Sequence, residues 1–431
     1  MALMLAPASL AVQPDDGDNS QVYLPLMQKP VVFHESTGVL DPSFSIDGWG
    51  VIPYDMANLG DALARQPDGK LVVAGQGYTS NYDFIVVRIT PEGSMDPSFA
   101  EDGILFTDFA STDDYAHAVA VQPDGKIIAA GYAWDDLAVA RYNPDGSPDT
   151  GFSEDGKVRV DVTALDQGEA LALLPDGKIL LVGSGSDSWD DPVDFILVRL
   201  NPDGSLDETF DEDGKLRIDI SGEGDYAWAA ALQTDGKLVV VGDASSDFLL
   251  ARFNQDGSLD DTFSEDGWQL TDYLGGDDSA QAVAIQPDGS IVVAGYCMRF
   301  IGDEWDYDFA IARYNPDGSL DTSFSTDGIN QTDLSSKYDL GYTLVLQPDG
   351  KAIVAGSAAY YNDNYDDFAM VRYHPDGSLD TSFGNLGKLI TSFCDDCYDR
   401  INAILLQPDG KIVVAGYSTM AGVDIVIARY K

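Results

Sequence analysis

The apolar positions of this chain fall in short runs, and the runs recur in a fixed order. Ala116-His-Ala-Val-Ala-Val121 alternates small and branched side chains, as a half-buried strand does. Pro123-Asp124-Gly125 breaks it with a tight turn, and Lys126-Ile-Ile-Ala-Ala-Gly131 returns as the second strand of a hairpin. Leu137-Ala-Val-Ala-Arg-Tyr142 reads as a third strand, Asn143-Pro-Asp-Gly146 turns the chain again, and Lys157-Val-Arg-Val-Asp161 makes a fourth. Runs such as Leu238-Val-Val-Val241 suit strands covered on both faces. No segment shows a helical period, and the Gly and Pro of every unit exclude a helical repeat.

The unit occurs seven times. The glycine of its [Q/L]-[P/T]-D-G-[K/S] turn stands at Gly69, Gly125, Gly177, Gly236, Gly289, Gly350 and Gly410. Seven units of four antiparallel strands predict an all-β chain, a seven-bladed β-propeller forming one domain over residues 31–431. The repeat begins part-way through a unit, at Leu40-Asp-Pro-Ser-Phe44, and its final run, Asp424 to Tyr430, is a third strand. The spare strand near Gly48 to Asp55 is therefore expected to complete the last blade and clasp the ring, removing an exposed sheet edge.

Two charged positions recur in every unit. Arginine stands in the third strand at Arg88, Arg141, Arg199, Arg252, Arg313, Arg372 and Arg429. Aspartate stands in the L-D-x-x-F marker at Asp41, Asp96, Asp149, Asp207, Asp260, Asp321 and Asp380. An arginine inside an apolar strand needs a partner, so one structural ion pair per blade is expected. The marker phenylalanines, Phe44, Phe99 and their counterparts, read as plugs between blades.

The formal net charge of −49 makes nucleic acid and anionic membranes poor partners and favours calcium, cationic peptides or basic proteins. No apolar run reaches the roughly 20 residues that span a bilayer. Residues 1–30 read as the remnant of a secretory signal, with small residues at Ala6, Ala8, Ser9 and Ala11, followed by a tether. Cys394 and Cys397 read as a local disulfide and Cys297 as a spare buried thiol. These features lead us to expect a monomer outside the cell, at its surface or in the periplasm. His34, His117 and His374 sit in unrelated parts of different repeats, and no zinc ligand set is present.

The patterns Q-P-D-G-K-[I/L]-[I/V]-[V/A]-[A/V]-G and A-R-Y-N-P-D-G-S-L-D-x-[S/T]-F resemble the delta-60 repeat of bacterial proteins, from about Val31 to Lys431. The resemblance implies a propeller of extracellular or cell-surface proteins with no established biochemical activity, so it brings no catalytic residues. Leu174, Thr234, Ser290 and Gly384-Asn-Leu-Gly387 depart from the pattern, all at turns.

If the strands alternate in direction, the P-D-G turns share one face and the loops after the second and fourth strands share the other. The second face varies between units, which is how a propeller carries binding specificity. Its candidate ligand-binding residues are Trp134, Asp135, Trp189, Asp190, Trp305, Asp306, Tyr307, Tyr361, Asp363 and Tyr365. Asp113-Asp114-Tyr115, Asp277-Asp278, Tyr338-Asp339 and Asp395-Asp396 add acid in the fourth-to-first loops. Aromatic faces stack on sugar rings or cations, and carboxylates accept hydroxyl protons or hold calcium. Calcium is thus a possible cofactor, although an EF-hand template centred on Gly204 fails, putting Arg199 and Phe210 at ligand positions. Serine-triad, Asp-box, Rossmann and P-loop templates also fail, leaving no catalytic residue to name. The expected function is non-catalytic binding of glycan, peptide or protein at the variable face. A secreted polysaccharide hydrolase or lyase using loop carboxylates, and a purely structural spacer, are the alternatives. A carboxylate with raised pKa in the central cleft would favour the enzyme; a shallow aromatic face without one would favour binding.

Overall fold

Each alternating or apolar run becomes a strand, and each glycine-bearing turn joins two antiparallel neighbours. The computed structural model describes residues 39–45, 47–52, 58–109, 111–273, 275–301, 304–334, 337–359, 365–420 and 422–431. The signal and tether expected in residues 1–30 lie outside these. Blade 1 consists of Asn58–Arg65, Leu71–Tyr78, Tyr82–Ile89 and Ile104–Thr107, hydrogen-bonded in that order. Blades 2 to 6 repeat the order, with inner strands Asp114–Val121, Leu165–Leu173, Asp225–Leu232, Asp278–Ile285 and Asp339–Leu346.

Blade 7 is built from both ends of the repeat region. Asp399–Leu406, Ile412–Ser418 and Asp424–Tyr430 supply three strands, and Trp49–Val51 supplies the outer one. Trp49 pairs with Ala428 and Val51 with Val426, so the expected clasp is present. The inner strands contact one another in turn around the ring, the first touching the seventh. The fold is a seven-bladed propeller, all-β among the described residues.

The core lies between blades rather than inside them. One apolar cluster joins Val413, Ala415 and Ile425 of blade 7 to Leu71, Val73 and Ile85 of blade 1, with Phe44 and Ile52 beside them. Six similar clusters fill the other seams. Middle strands are buried on both faces for this reason, which explains their unbroken apolar runs.

Each third-strand arginine meets its marker aspartate. Arg88–Asp96 and Arg141–Asp149 lie at 2.7 Å, Arg252–Asp260 at 2.6 Å, Arg372–Asp380 at 2.8 Å and Arg429–Asp41 at 2.9 Å. Arg199–Asp207 and Arg313–Asp321 complete the set. The guanidinium also reaches the turn of the following blade: Arg141 donates to the Pro202 carbonyl at 2.6 Å and Arg429 to the Pro91 carbonyl at 2.8 Å. Its other face covers the marker ring, with Arg141 4.5 Å from the centroid of Phe152. That ring packs beneath the next blade's turn. A Cβ on Gly146 would lie 3.1 Å from Phe99, and Gly146 has φ +89°, so both space and conformation call for glycine there.

The turn lysine adds a second cation, as Lys70 does to Asp96 at 3.0 Å. Burial alone would raise the Asp96 carboxyl, but bonds from Ser98 and Lys70 and the Arg88 charge hold it well below the usual carboxylate range. Blade 5 has Ser290 at the lysine position, and Asp321 keeps only arginine as its ion-pair partner among the described residues. Cys394 and Cys397 are disulfide-bonded, and Cys297 is a buried free thiol whose ionisation burial suppresses.

Candidate functional site: the variable face and the central channel

The loops after second and fourth strands share the face on which the inner strands begin, and the sequence candidates divide sharply there. Trp134, Trp189 and Trp305 are exposed, at 60%, 83% and 50% of their surface. Trp305 leans on Phe300 at 4.7 Å. Asp190 is exposed and Asp135 half-buried. Asp306 is engaged, ion-paired to Arg299 at 2.7 Å. Tyr307 stacks on Tyr338 at 5.7 Å, and Tyr365 meets Tyr398 at 5.1 Å. Tyr361 and Asp363 lie outside the described residues.

The loop acids need correction. Asp114 and Asp278 are the buried first residues of inner strands rather than solvent-facing loop acids. Each accepts a backbone N–H from its own loop, Phe109 and Tyr273 respectively, at 2.7 Å. Burial pushes their carboxyls up to about 6 and about 7. Among the described residues, five groups of three aspartates gather at the blade edges. In three of them an arginine sits on the acids: Arg159 on Asp136, Arg217 on Asp194, and Arg299 on Asp306, Asp308 and Asp333. Asp83–Asp108–Asp114 and Asp247–Asp272–Asp278 have no such arginine among the described residues, and offer oxygens of the kind calcium takes.

A second feature lies in the channel. Every inner strand carries a β-bulge, where its register against the second strand slips by one residue. The extra residues are Asp61, His117, Glu169, Trp228, Gln281, Tyr342 and Asn402. The cause is the glycine that closes the V-A-G run opposite: a Cβ on Gly75 would collide with the Leu59 carbonyl. Glycine lets that carbonyl approach, and the following residue is squeezed out of the ladder. Bulges of this kind re-aim side chains beside functional sites.

The seven bulged residues differ in every blade, and four of them pair with one another across neighbouring blades. His117 Nδ1 lies 2.7 Å from Glu169 Oε2. Asn402 donates to Asp61 Oδ1 at 2.7 Å, while Asp61 Oδ2 has no hydrogen-bond partner among the described residues. Burial works against the His117 cation, but Glu169 and then Asp61 outweigh it and push the imidazole up to about 9. Burial raises the Asp61 carboxyl above the usual range, with the His117 and Arg400 charges pulling the other way. On the opposite arc, Trp228 Nε1 and Ser279 Oγ both donate to Asp243, at 2.5 and 2.6 Å, and burial raises that carboxyl too. Gln281 donates to Ser279 at 2.7 Å. Gln76, 7% exposed, leaves its Oε1 without a hydrogen-bond partner among the described residues.

Two files of aromatic rings connect the rim to this ring. The first runs Tyr78, Tyr82, Tyr115, Tyr132 and His117, with centroid steps of 5.3, 5.7, 5.0 and 5.4 Å. The second runs Tyr338, Tyr307, Tyr296 and Tyr342, with steps of 5.7, 5.9 and 6.4 Å, and ends under the Arg400 guanidinium. Tyr115, Tyr307 and Tyr338 were legible from the sequence as residues of the variable face; the rest of both files was not. The available signal was one aligned position, flanked by Gly, Ala, Thr or Ile in every unit, at which seven near-copies carry seven different side chains.

A closed ring of four-stranded blades with a chemically varied channel defines the chain as a β-propeller. It belongs to the family described as the domain of unknown function DUF5122 beta-propeller, which matches residues 66–99, 122–152, 174–210, 233–263, 286–324, 347–383 and 407–431, just over half of the chain. No curated protein matches it. Similar solved structures include virginiamycin B lyase from Staphylococcus aureus in a catalytically inactive form with quinupristin, at 10% identity and TM-score 0.48, covering 88% of this chain and 98% of that one. Penicillium chrysogenum alpha-L-arabinanase with arabinobiose matches at 13% identity and TM-score 0.44, covering 91% and 97%. A gluconolactonase from Xanthomonas campestris matches at 13% and 0.40, covering 95% and 99%. At these levels none of them speaks for an activity here. No helix among the described residues is long and apolar enough to cross a membrane.

Proposed function

We propose that this chain is a binding propeller, secreted or displayed at a cell surface, that takes a glycan from its variable face into the mouth of the channel. The observation carrying this reading is the pair of aromatic files that lead from the rim to the bulged ring. Aromatic faces suit the C–H faces of sugar rings, and the amides and carboxyls of Asn402, Gln281, Asp61 and Glu169 suit hydroxyls. Peptide and protein are less well matched, since the polar groups line a channel rather than a broad surface. The Cys394–Cys397 disulfide supports an oxidising location. The narrower kinship to delta-60 repeats belongs to the same proposal. Calorimetric titration with a panel of neutral oligosaccharides tests it: Trp228→Ala and Tyr132→Ala should each weaken binding about tenfold or more. Binding unchanged in both variants, or no binding by the wild-type chain, overturns it.

A second reading has its own observation. Asp61 is a channel carboxyl raised by burial and set beside the charged His117–Glu169 pair. Groups of unlike proton affinity held together are what acid–base cleavage of a glycosidic bond requires. Under this hydrolase or lyase reading, Asp61→Asn abolishes product formation while oligosaccharide still binds. A wild-type chain that binds a glycan and never cleaves it excludes the enzyme.

A further inference from the structure

Arg400 differs from the other arginines of this chain. Those of the third strands, together with Arg159, Arg217 and Arg299, are all salt-bridged to aspartate. Arg65, at the outer end of an inner strand, is exposed to solvent. Arg400 stands on the inner strand of blade 7, two residues before the bulged Asn402, with no carboxylate at ion-pair distance among the described residues. In a chain with 73 acidic residues this is a conspicuous vacancy in the pairing.

Its setting fixes the guanidinium and compensates its charge only in part. The group lies 3.4 Å over the ring of Tyr342 and is hydrogen-bonded to Tyr417, its partner across the strand pair, while the Asp61 and Asp366 charges act on it without forming an ion pair. Its Nε has no hydrogen-bond partner among the described residues. A half-buried guanidinium with an unused N–H gives up hydration that the contacts with Tyr342 and Tyr417 replace only in part, and an anion would complete it. Stacked and held in plane, it presents the fork that binds a carboxylate through two parallel hydrogen bonds.

We propose that Arg400, seated on Tyr342, receives the carboxylate of the ligand, so that the channel selects a sugar acid carrying one carboxylate over its neutral counterpart. The inference rests on the glycan reading above and narrows it. A single negative charge is specified because the chain's net charge of −49 repels a polyanion at a distance. The local fork supplies the attraction, while the long-range field opposes it. Added salt should therefore speed association, the reverse of ordinary ion-pair steering.

The test compares an aldobiouronic acid (one uronate joined to one neutral sugar) with its methyl ester, which keeps shape and removes charge. Both are titrated calorimetrically into the full chain and into Arg400→Gln. The wild-type chain is expected to bind the acid at least about tenfold more tightly than the ester, and Arg400→Gln to bind the two alike. Stopped-flow association of the acid should quicken between 20 and about 300 mM salt. Equal affinity for acid and ester in the wild-type chain overturns the carboxylate role and leaves glycan binding standing. Discrimination that survives in Arg400→Gln does the same. Binding of neither compound, where neutral oligosaccharides also fail, removes both readings together. Thermal melting of the variant, with Arg400→Lys beside it, shows that it is folded. Inorganic phosphate and sulfate as competitors separate a carboxylate site from a general anion site: competition at the acid's own affinity overturns the specificity claimed.

Discussion

The turn face and the channel of this propeller are made by the same seven units and follow opposite rules. On the turn face each blade repeats one solution: arginine, aspartate, phenylalanine and a glycine turn lock onto the next blade. In the channel each blade holds a bulge of the same geometry and fills it with a different residue. Sameness marks what the ring needs in order to close. Difference, set on a backbone position that costs every blade a glycine, marks where the chain has been free to become specific.

The largest test of that division removes the clasp. Deleting residues 1–56 takes away Trp49–Val51, the buried Phe44 and the Arg429–Asp41 pair. It should cost at least about 5 kcal/mol of stability, from one broken buried ion pair and the lost apolar burial. Deleting residues 1–28 should leave denaturant unfolding unchanged, and equal midpoints for both truncations would break the closure scheme. Next comes Asp96→Ala, which leaves Arg88 and Lys70 facing an uncompensated site and should cost about 3–5 kcal/mol. The same change at Asp321, where Ser290 stands in place of lysine, should cost clearly less. Urea titration of the two variants side by side decides this.

The channel pair gives a smaller, pH-dependent effect. The imidazole of His117 is raised above its ordinary 6.5 to about 9 by Glu169. A raised cationic group stabilises fully below its unfolded pKa and loses that contribution as pH climbs through the folded one. Wild-type stability should therefore fall between pH 6.5 and 9.5 by on the order of 2 kcal/mol more than that of Glu169→Gln. Parallel curves for the two proteins would contradict the pairing. The smallest effect on stability should come from Gln281→Ala, within about 1 kcal/mol of wild type, since its amide only shares Ser279 with Asp243. If it nevertheless weakens glycan binding, the separation between scaffold and channel is confirmed at a single residue; a loss of several kcal/mol would blur it.

The repeat architecture was legible because its signals are local: a turn glycine, a run of branched residues, a charge of fixed sign in each unit. Even the clasp could be read, since the chain begins and ends its repeats out of phase. The channel was not legible because a bulge is a relation between two strands. Nothing in Gly60-Asp61-Ala62 reveals that the carbonyl of Leu59 presses against Gly75 and leaves Asp61 over. His117 looked isolated for a similar reason: its partner Glu169 is 52 residues away on the neighbouring blade. The variable loops were visible as variation, but the local partners of their acids were not. Asp114 and Asp278 cap their own loops, and Asp306 answers Arg299.

The shared seventh blade also sets a timetable. Arg429 and Asp41 are 388 residues apart in the chain, so their pairing must wait until nearly all of the propeller has been synthesised. At ribosomal rates of about 5–20 residues per second, the strand around Trp49 waits roughly 20–80 s for Asp424–Tyr430 to arrive. Until then six blades form an open arc with a naked edge on either side. The propeller is therefore most exposed to aggregation just before its ring closes, and a partner that shields those edges would act on the nascent arc alone.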